Sequence, residues 1–220
     1  MKAMPMAAME MADPAWSASA LLLVFTMWAV MMIGMMLPSA APAILLYGAM
    51  ASSRGDSRST LPPVWIFASG YILVWASFSL AAALLQVWLQ SAGLLDSMMT
   101  SVSVWLSAGV LLTAGIYQWL PVKEACLRRC RSPLQVFLFR WRGGWSGALR
   151  MGAEHGAFCV GCCWALMLVL FAAGVMNLLW VALIAGLVLL EKLLPGGVWV
   201  GRIAGVGFAA AGLWLAARTF

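Results

Sequence analysis

The stretch GAFCVGCCWALMLVLFAAGVMNLLWVALIAGLVLLEKLLPGG, residues 156–197, contains two long apolar runs joined by a short turn at Met176 and Asn177. Its only charged residues are the adjacent Glu191 and Lys192 near its end. Apolar runs of this length are typical of membrane-spanning helices, whereas membrane barrels are built from short segments of alternating polarity. The stretch therefore predicts a helical hairpin within a membrane.

The rest of the chain has the same apolar character. Hydrophobic residues make up 65% of the 220 residues and charged residues only 9%, and the mean hydropathy is +0.98. A soluble domain has about 25% charged residues, and a domain of this size could not bury so much apolar surface. We therefore predict an all-α fold, a polytopic membrane helical bundle with about six transmembrane helices. The net charge of +6 is attributed to membrane topology, and no nucleic-acid partner is expected.

The six predicted spans cover residues 17–37, 62–90, 97–120, 148–174, 177–190 and 198–217. The segment PSAAP, residues 38–42, is expected to end the first helix because each proline removes a backbone donor. The apolar residues 43–51 are too few to cross a bilayer, so they are expected to form a half-helix or re-entrant segment. The domain prediction is a Met-rich extracytoplasmic tail, residues 1–16, followed by a single transmembrane domain, residues 17–220.

The basic residues predict the orientation of the bundle. If six spans alternate, the loop at 52–60, the long basic loop at 121–147 and the basic residues at 192–202 all lie on one side. The positive-inside rule makes that side the cytoplasm. The N- and C-termini then face the periplasm or the cell exterior. The basic loop is expected to contact anionic lipids.

Three of the five cysteines lie within the motif CVGCC, residues 159–163. On an ideal helix the only histidine, His155, shares one narrow face with Cys159 and Cys162, and Cys163 lies at its edge. Counting from Arg150, these thiols are roughly 13–20 Å deep at the rise of an α-helix. Thiolates and imidazole at this spacing suit Cu(I), with zinc as the alternative. The competing interpretation is that these cysteines are small buried hydrophobes.

Methionines form a second set of soft donors. The segment MWAVMMIGMM, residues 27–36, carries five of them in two stripes at helical spacing. The stripes comprise Met27, Met31 and Met35, and Met32 and Met36. Thioethers are soft ligands that suit Cu(I), although methionine is also an ordinary packing residue. The tail MKAMPMAAMEMADP, residues 1–14, carries five more methionines and is typical of a metal-collecting segment.

A further cysteine pair, Cys126 and Cys130, lies one helical turn apart in YQWLPVKEACLRRCRSP, residues 117–133. The neighbouring cations are expected to lower the pKa of both thiols, and a reducing cytoplasm disfavours a standing disulfide. We predict a metal-transfer pair or a redox-active pair. The alternative is an amphipathic interfacial helix that binds lipid and carries its cysteines incidentally.

Three other polar residues within the spans are candidates for the site, because ionisable groups there are usually functional. Glu154 lies beside His155, and Asn177 lies in the hairpin turn. Glu191 is expected to face the bundle and to contact His155 or Asn177, whereas Lys192 is expected to extend to the cytoplasmic interface.

The segment MMLPSAAPAILLYG, residues 35–48, together with residues 117–133 and 156–197, resembles a bacterial family of predicted metal-binding integral membrane proteins of unknown function. The resemblance covers about residues 31–197. It implies a polytopic protein of the bacterial inner membrane, with periplasmic termini, whose cysteines and methionines are the metal ligands. By matching position these are Met31, Met32, Met35, Met36, Cys126, Cys130, Cys159, Cys162, Cys163, Met167 and Met176.

The functional prediction is a membrane protein that handles Cu(I) in acquisition, in delivery to a cuproenzyme or in tolerance. A metallochaperone or a cuproenzyme is the expected protein partner. The alternatives are a membrane thiol–disulfide redox protein and a metal-free scaffold subunit. An enzyme is less favoured, because a copper oxidase or monooxygenase would use several histidines and the chain has one.

Overall fold

The computed structural model describes residues 17–53, 63–96 and 100–218, and this part of the chain forms eight α-helices without a strand, which confirms the all-α fold class. The Met-rich tail and the loop that carries Arg54 and Arg58 lie outside the described residues. The helices are α1 (Ala18–Ser53), α2 (Pro63–Ser91), α3 (Val104–Tyr117), α4 (Pro121–Arg131), α5 (Pro133–Phe139), α6 (Gly144–Ala173), α7 (Leu178–Leu193) and α8 (Gly197–Ala217).

Helix α1 corrects the prediction of a broken first span followed by a half-helix. It continues for 36 residues through Pro38 and Pro42. Neighbouring helices and hydroxyl groups can satisfy the backbone groups around an intramembrane proline. Here the Met36 carbonyl accepts hydrogen bonds from Ser39 Oγ at 2.8 Å and from the Tyr71 hydroxyl of α2 at 3.2 Å. The hydrogen bond from Tyr71 joins α1 to α2 two residues before Pro38.

The six longer helices alternate in direction. Helix α1 runs antiparallel to α2, since Trp28 bonds Gln86 near one end and Tyr47 stacks on Phe67 near the other. Helix α2 then runs parallel to α6, and α3 runs antiparallel to α8. The α2–α3 loop joins the far end of α6 through Ser101 N and the carbonyl of Phe171, at 3.0 Å. One end of the bundle therefore holds residues 92–96, 100–103 and 174–177, and the other holds α4, α5 and residues 194–196.

Two glycines allow α2 and α6 to approach backbone to backbone. A Cβ added at Gly152 would overlap the carbonyl oxygen of Phe67, and one added at Gly70 would overlap the carbonyl oxygen of Leu149. Small residues at helix interfaces allow this close packing in membrane bundles. The contact fixes the position of α2 along the axis of the cysteine-bearing helix α6.

The predicted basic loop is largely helical and contains α4 and α5. Helix α5 covers the ends of α1, α2 and α6 through an aromatic cluster in which Tyr47 lies 4.5 Å from Phe67 and 5.1 Å from Trp141, between ring centroids. Phe137 of α5 meets both Tyr47 and Phe67 edge-on. This part of α1, α2 and α6 thus has its own small core.

Four described helices are long and apolar enough to cross a membrane, namely α1, α2, α6 and α8. The third predicted span is shorter than expected, because α3 begins only after Ser103, whose side chain caps it by accepting from Leu106 N. Large apolar side chains cover the outside of the bundle, among them Leu23 at 72% exposure and Ile203 at 70%. Such an exposed apolar surface is typical of a lipid-facing one.

We expect Gly152→Ala to destabilise the detergent-purified protein by about 1–3 kcal/mol, the usual cost of overpacking. The added methyl group meets backbone of α2, which cannot rotate away. Thermal unfolding followed by circular dichroism measures the loss. The matched control is Gly207→Ala in α8, where nothing lies within 4 Å of an added Cβ. Equal midpoints for the two variants would contradict the close α2–α6 contact.

Candidate metal centre

The three cysteines of α6 face the centre of the bundle. Cys159, Cys162 and Cys163 are each only 1% exposed. The thiols of Cys162 and Cys163 both donate to the carbonyl oxygen of Cys159, at 3.1 Å and 2.9 Å. The thiol of Cys163 is also in hydrogen-bond contact with those of Cys159 and Cys162. The motif thus forms one compact group of buried thiols.

Helix α4 packs across α6 and brings the second cysteine pair to the first. The Cys130 thiol is in hydrogen-bond contact with the thiols of Cys159 and Cys162. Cys126 Sγ lies only 2.9 Å from the position of a Cβ added at Gly161, so the α4 side chain packs directly against the backbone of α6. The two cysteine motifs, which are 33 residues apart between Cys126 and Cys159, therefore form one cluster (the thiol cluster, comprising Cys126, Cys130, Cys159, Cys162 and Cys163).

The expected lowering of the pKa of the α4 thiols is wrong. Hydrogen bonds that the Cys130 thiol donates to Cys159 and Cys162, together with burial, raise the pKa of Cys130. Burial and the neighbouring Cys162 raise the pKa of Cys126, and Arg129 only partly opposes them.

The nearby arginines are engaged elsewhere, which explains their weak effect on the thiols. Arg128 pairs with Glu124, and the Arg129 guanidinium lies 4.6 Å from the ring centre of Phe158. Arg131 donates to the carbonyl oxygens of Leu194 and Pro195. Burial among other thiols therefore dominates the environment of the α4 cysteines.

Lys192 is a member of the site that sequence reasoning missed. It was expected at the cytoplasmic interface, but it is only 9% exposed. Its Nζ donates to Cys159 Sγ at 2.8 Å and to Ser39 Oγ of α1 at 3.0 Å. The one available signal was its position, because Leu193 and Leu194 continue the apolar run beyond the charged pair.

Tyr71 was also missed, and it joins the thiols to α1. Its hydroxyl oxygen lies 3.2 Å from Cys159 Sγ and 3.2 Å from the Met36 carbonyl oxygen. A buried phenol usually finds such polar partners. Cys159 thus has two polar neighbours from other helices, Tyr71 of α2 and Lys192 of α7.

The adjacent Glu191 faces the bundle as predicted, but its predicted partners are wrong. Its carboxylate accepts from Lys123 Nζ of α4 at 2.7 and 2.8 Å, and the two side chains are 2% and 4% exposed. Lys123 Nζ also contacts the amide oxygen of Gln118. Asn177 instead caps α7 at the opposite end by accepting from Leu179 N at 3.1 Å. The Lys123–Glu191 pair therefore fastens α4 to α7.

The structure places His155 and Glu154, the two other predicted polar residues, in different surroundings. His155 is buried one turn before Cys159, with its ring centre 5.9 Å from that of Tyr71 and 6.2 Å from that of Phe67. Glu154 turns to the surface and pairs with Arg150 at 3.2 Å. The structure thus keeps His155 near the thiol cluster and moves Glu154 away from it.

The methionines divide in the same way. Met32, Met36 and Met167 are fully buried in the same core as the α6 thiols, and Met35 is 8% exposed there. Met31 is half-buried and packs against that core. Met176 is 53% exposed at the opposite end of α6, so the structure does not bring it to the thiols.

The donor set is soft throughout, as Cu(I) requires. Among the described residues, no three His, Cys, Asp or Glu side chains are already arranged around a common point to hold a metal ion. The thiols of Cys162 and Cys163 are turned to a carbonyl oxygen instead. Rotation of these thiols about their Cα–Cβ bonds would free them for a metal.

We expect Lys123→Met alone to destabilise the protein by about 3–5 kcal/mol, because it leaves Glu191 as a buried unpaired charge. The double variant Lys123→Met with Glu191→Leu should regain most of that loss, since it removes both charges. Thermal unfolding of the detergent-purified single and double variants measures the coupling. Additive losses would mean that the two side chains do not interact.

Comparison with known protein families matches residues 25–215 to the PpoB2 family, which is described as a copper chaperone. Searches of the curated proteins and of the solved structures gave no significant match. The matched range spans most of the chain and includes all five cysteines. It confirms the expected membership of a metal-binding family and supports copper as the metal. The chain belongs to the PpoB2 family of copper chaperones.

Proposed function

We propose that this protein is a membrane-embedded chaperone that carries Cu(I) on its thiol cluster. The observation that carries the proposal is the meeting of the α4 and α6 cysteines beside buried methionines. Thiolates and thioethers are the soft donors that favour Cu(I), whereas zinc sites usually use four Cys, His or carboxylate ligands in a closed tetrahedron. The ligands we propose are Cys159, Cys162, Cys163 and Cys130, with thioethers from α1 nearby.

The arrangement of the helices supports a membrane location with both termini on the periplasmic side of a bacterial inner membrane. Helices α4 and α5 and the start of α6 lie together at one end of the bundle. These helices and the α5–α6 connection carry Arg128, Arg129, Arg131, Arg140, Arg142 and Arg150. By the positive-inside rule this end is cytoplasmic. Anionic headgroups are the proposed lipid contacts of the basic face.

The thiol cluster then lies closer to the cytoplasmic face than counting from Arg150 suggests. Helix α3 ends at Tyr117, whose hydroxyl contacts the Gly161 carbonyl oxygen, and Lys192, one residue before the end of α7, contacts Cys159. Helix α6 continues well beyond these helix ends into the aromatic cluster around Phe137. We therefore place the site near the cytoplasmic boundary of the bilayer.

The cysteines of α4 and those of α6 differ in their access to solvent. Cys126 and Cys130 are half-buried on α4, whereas the α6 thiols are sealed within the bundle. Cu(I) moves between thiol proteins by exchange of one ligand at a time. We propose that α4 passes copper between the buried thiols and a metallochaperone or a cuproenzyme, for acquisition, delivery or tolerance.

A second candidate function is thiol–disulfide exchange. The contact of Cys130 with Cys159 across two helices favours it, because such thiols can be oxidised to a disulfide, whereas the adjacent Cys162 and Cys163 cannot readily pair with each other. The buried methionines have no part in that chemistry, so the copper proposal accounts for more of the core.

We expect the full-length protein, purified in detergent and loaded anaerobically with Cu(I), to retain near-stoichiometric copper after gel filtration. Changing Cys159, Cys162 and Cys163 together to serine should abolish retention, because serine hydroxyls are poor ligands for a soft metal. Elemental analysis of the protein peak measures it.

The matched control is Met176→Leu, which removes a soft donor far from the thiols and should bind copper like the wild type. Copper retained by the triple variant would reject the thiol cluster as the site. Preferential retention of zinc would keep the site and reject Cu(I). Absence of both metals from the wild type would favour the thiol–disulfide function.

We also expect Cys126→Ser to lose copper more slowly than the wild type to a Cu(I) chelator added outside the micelle. The four proposed ligands remain, but the half-buried Cys126 thiol, through which copper would leave toward solvent, is gone. Stopped-flow absorbance of the chelator complex measures the rate. An unchanged rate would reject α4 as the transfer helix.

A further inference from the structure

Lys192 is a buried cation whose neighbours are neutral or sulfur groups. Its Nζ contacts Cys159 Sγ and Ser39 Oγ. Within residues 17–53, 63–96 and 100–218, no carboxylate forms an ion pair with it. A lysine is almost never buried unless its charge is paired, so the location of the balancing negative charge needs an explanation.

The nearest buried carboxylate already has a partner. Glu191 precedes Lys192 in the chain, but it accepts two hydrogen bonds from Lys123 on the other side of α7. The centre of the bundle therefore contains two ammonium groups and one carboxylate. Once the Lys123–Glu191 pair is balanced, one positive charge remains, and it lies 2.8 Å from a cysteine sulfur.

A thiolate at Cys159 would balance Lys192 in the metal-free protein, and a Cu(I) ion held by two thiolates keeps the same net charge. The ion carries one positive charge and each thiolate one negative charge, so the bound unit has one net negative charge. Charges interact strongly in a low-dielectric interior and are costly there when unbalanced. We propose that Lys192 is the counter-cation of a Cu(I) dithiolate that includes Cys159, a role that rests on the proposed copper function.

Lys192 acts through the thiolate and does not bind the metal itself. An ammonium group has three donor hydrogens and no lone pair to offer a metal. Its hydrogen bond to Ser39 links α7 to α1, so the charge is held beside Cys159 from two sides. Lys192 is therefore a positioning residue that sets the charge of the site and, through it, the affinity for Cu(I).

Three substitutions of Lys192 separate the effect of its charge from the effect of its packing. Lys192→Gln keeps a hydrogen-bond donor but removes the charge, Lys192→Leu keeps only apolar volume, and Lys192→Arg keeps the charge. Methionine is avoided because its thioether could bind Cu(I). The measurements are Cu(I) affinity, by anaerobic competition with a colorimetric Cu(I) chelator, and the intensity of thiolate-to-copper charge-transfer absorption per bound copper.

We expect Lys192→Gln and Lys192→Leu to lose at least about tenfold in Cu(I) affinity, equivalent to about 1.4 kcal/mol, and to lose charge-transfer intensity as one thiolate is given up. Lys192→Arg should restore most of both. The matched control is Arg150→Gln, which removes a surface charge that pairs with Glu154 away from the thiol cluster and should bind Cu(I) like the wild type.

Wild-type affinity and absorption in Lys192→Gln would overturn the counter-cation role while leaving the copper function in place. An equal loss in Lys192→Arg and Lys192→Gln would assign the effect to packing and would also overturn it. If the triple variant of Cys159, Cys162 and Cys163 loses Cu(I) binding and Lys192→Gln does not, this inference alone fails. A wild type that binds no Cu(I) would reject the copper function and the inference together.

Discussion

Charge balance inside an apolar bundle is the constraint on which the rest of this structure depends. The side chains of Lys123, Glu191 and Lys192 are all buried away from water. Each of their charges therefore has to be compensated by a neighbouring group. Lys123 and Glu191 compensate each other, and Lys192 is directed to a thiol. Because residues 191 and 192 are adjacent on α7, one turn of helix fixes both the ion pair to α4 and the contact to α6.

The position of α4 follows from that constraint. Helix α4 is short and strongly basic, and its sequence alone does not predict that it packs against a cysteine-bearing helix. The pair with Glu191 draws its first turn to α7, and Arg131 binds the carbonyl oxygens that follow α7. Gly161 provides the space into which Cys126 packs. The half-buried thiols of α4 therefore cover the sealed thiols of α6.

Helix α1 contributes to the site from the opposite side. Met32 and Met36 lie on the buried face of α1, in the same core as the α6 thiols. The Tyr71 hydroxyl then lies between the Met36 backbone and the Cys159 sulfur. The thioether-bearing stretch of α1 and the thiols of α6 are thus neighbours across a single phenol, which gives the copper chaperone fold a continuous region of soft donors.

The sequence by itself determined where the long apolar helices lie and which end of the bundle is basic, because long apolar runs and clustered arginines act locally. It did not determine α4 and α5, which lie in the predicted basic loop. It also placed the three cysteines of the 159–163 motif on one side of a helix, since that depends only on helical period. It could not determine which neighbour each helix faces. When every face of a helix is apolar, hydrophobic periodicity does not distinguish the inside from the lipid side. Only tertiary packing decided four features: the contact of Cys130 with Cys159, the inward orientation of Lys192, the exposure of Met176 and the continuity of α1 at Pro38. In tertiary packing, specific hydrogen bonds and glycine contacts between distant helices select one arrangement.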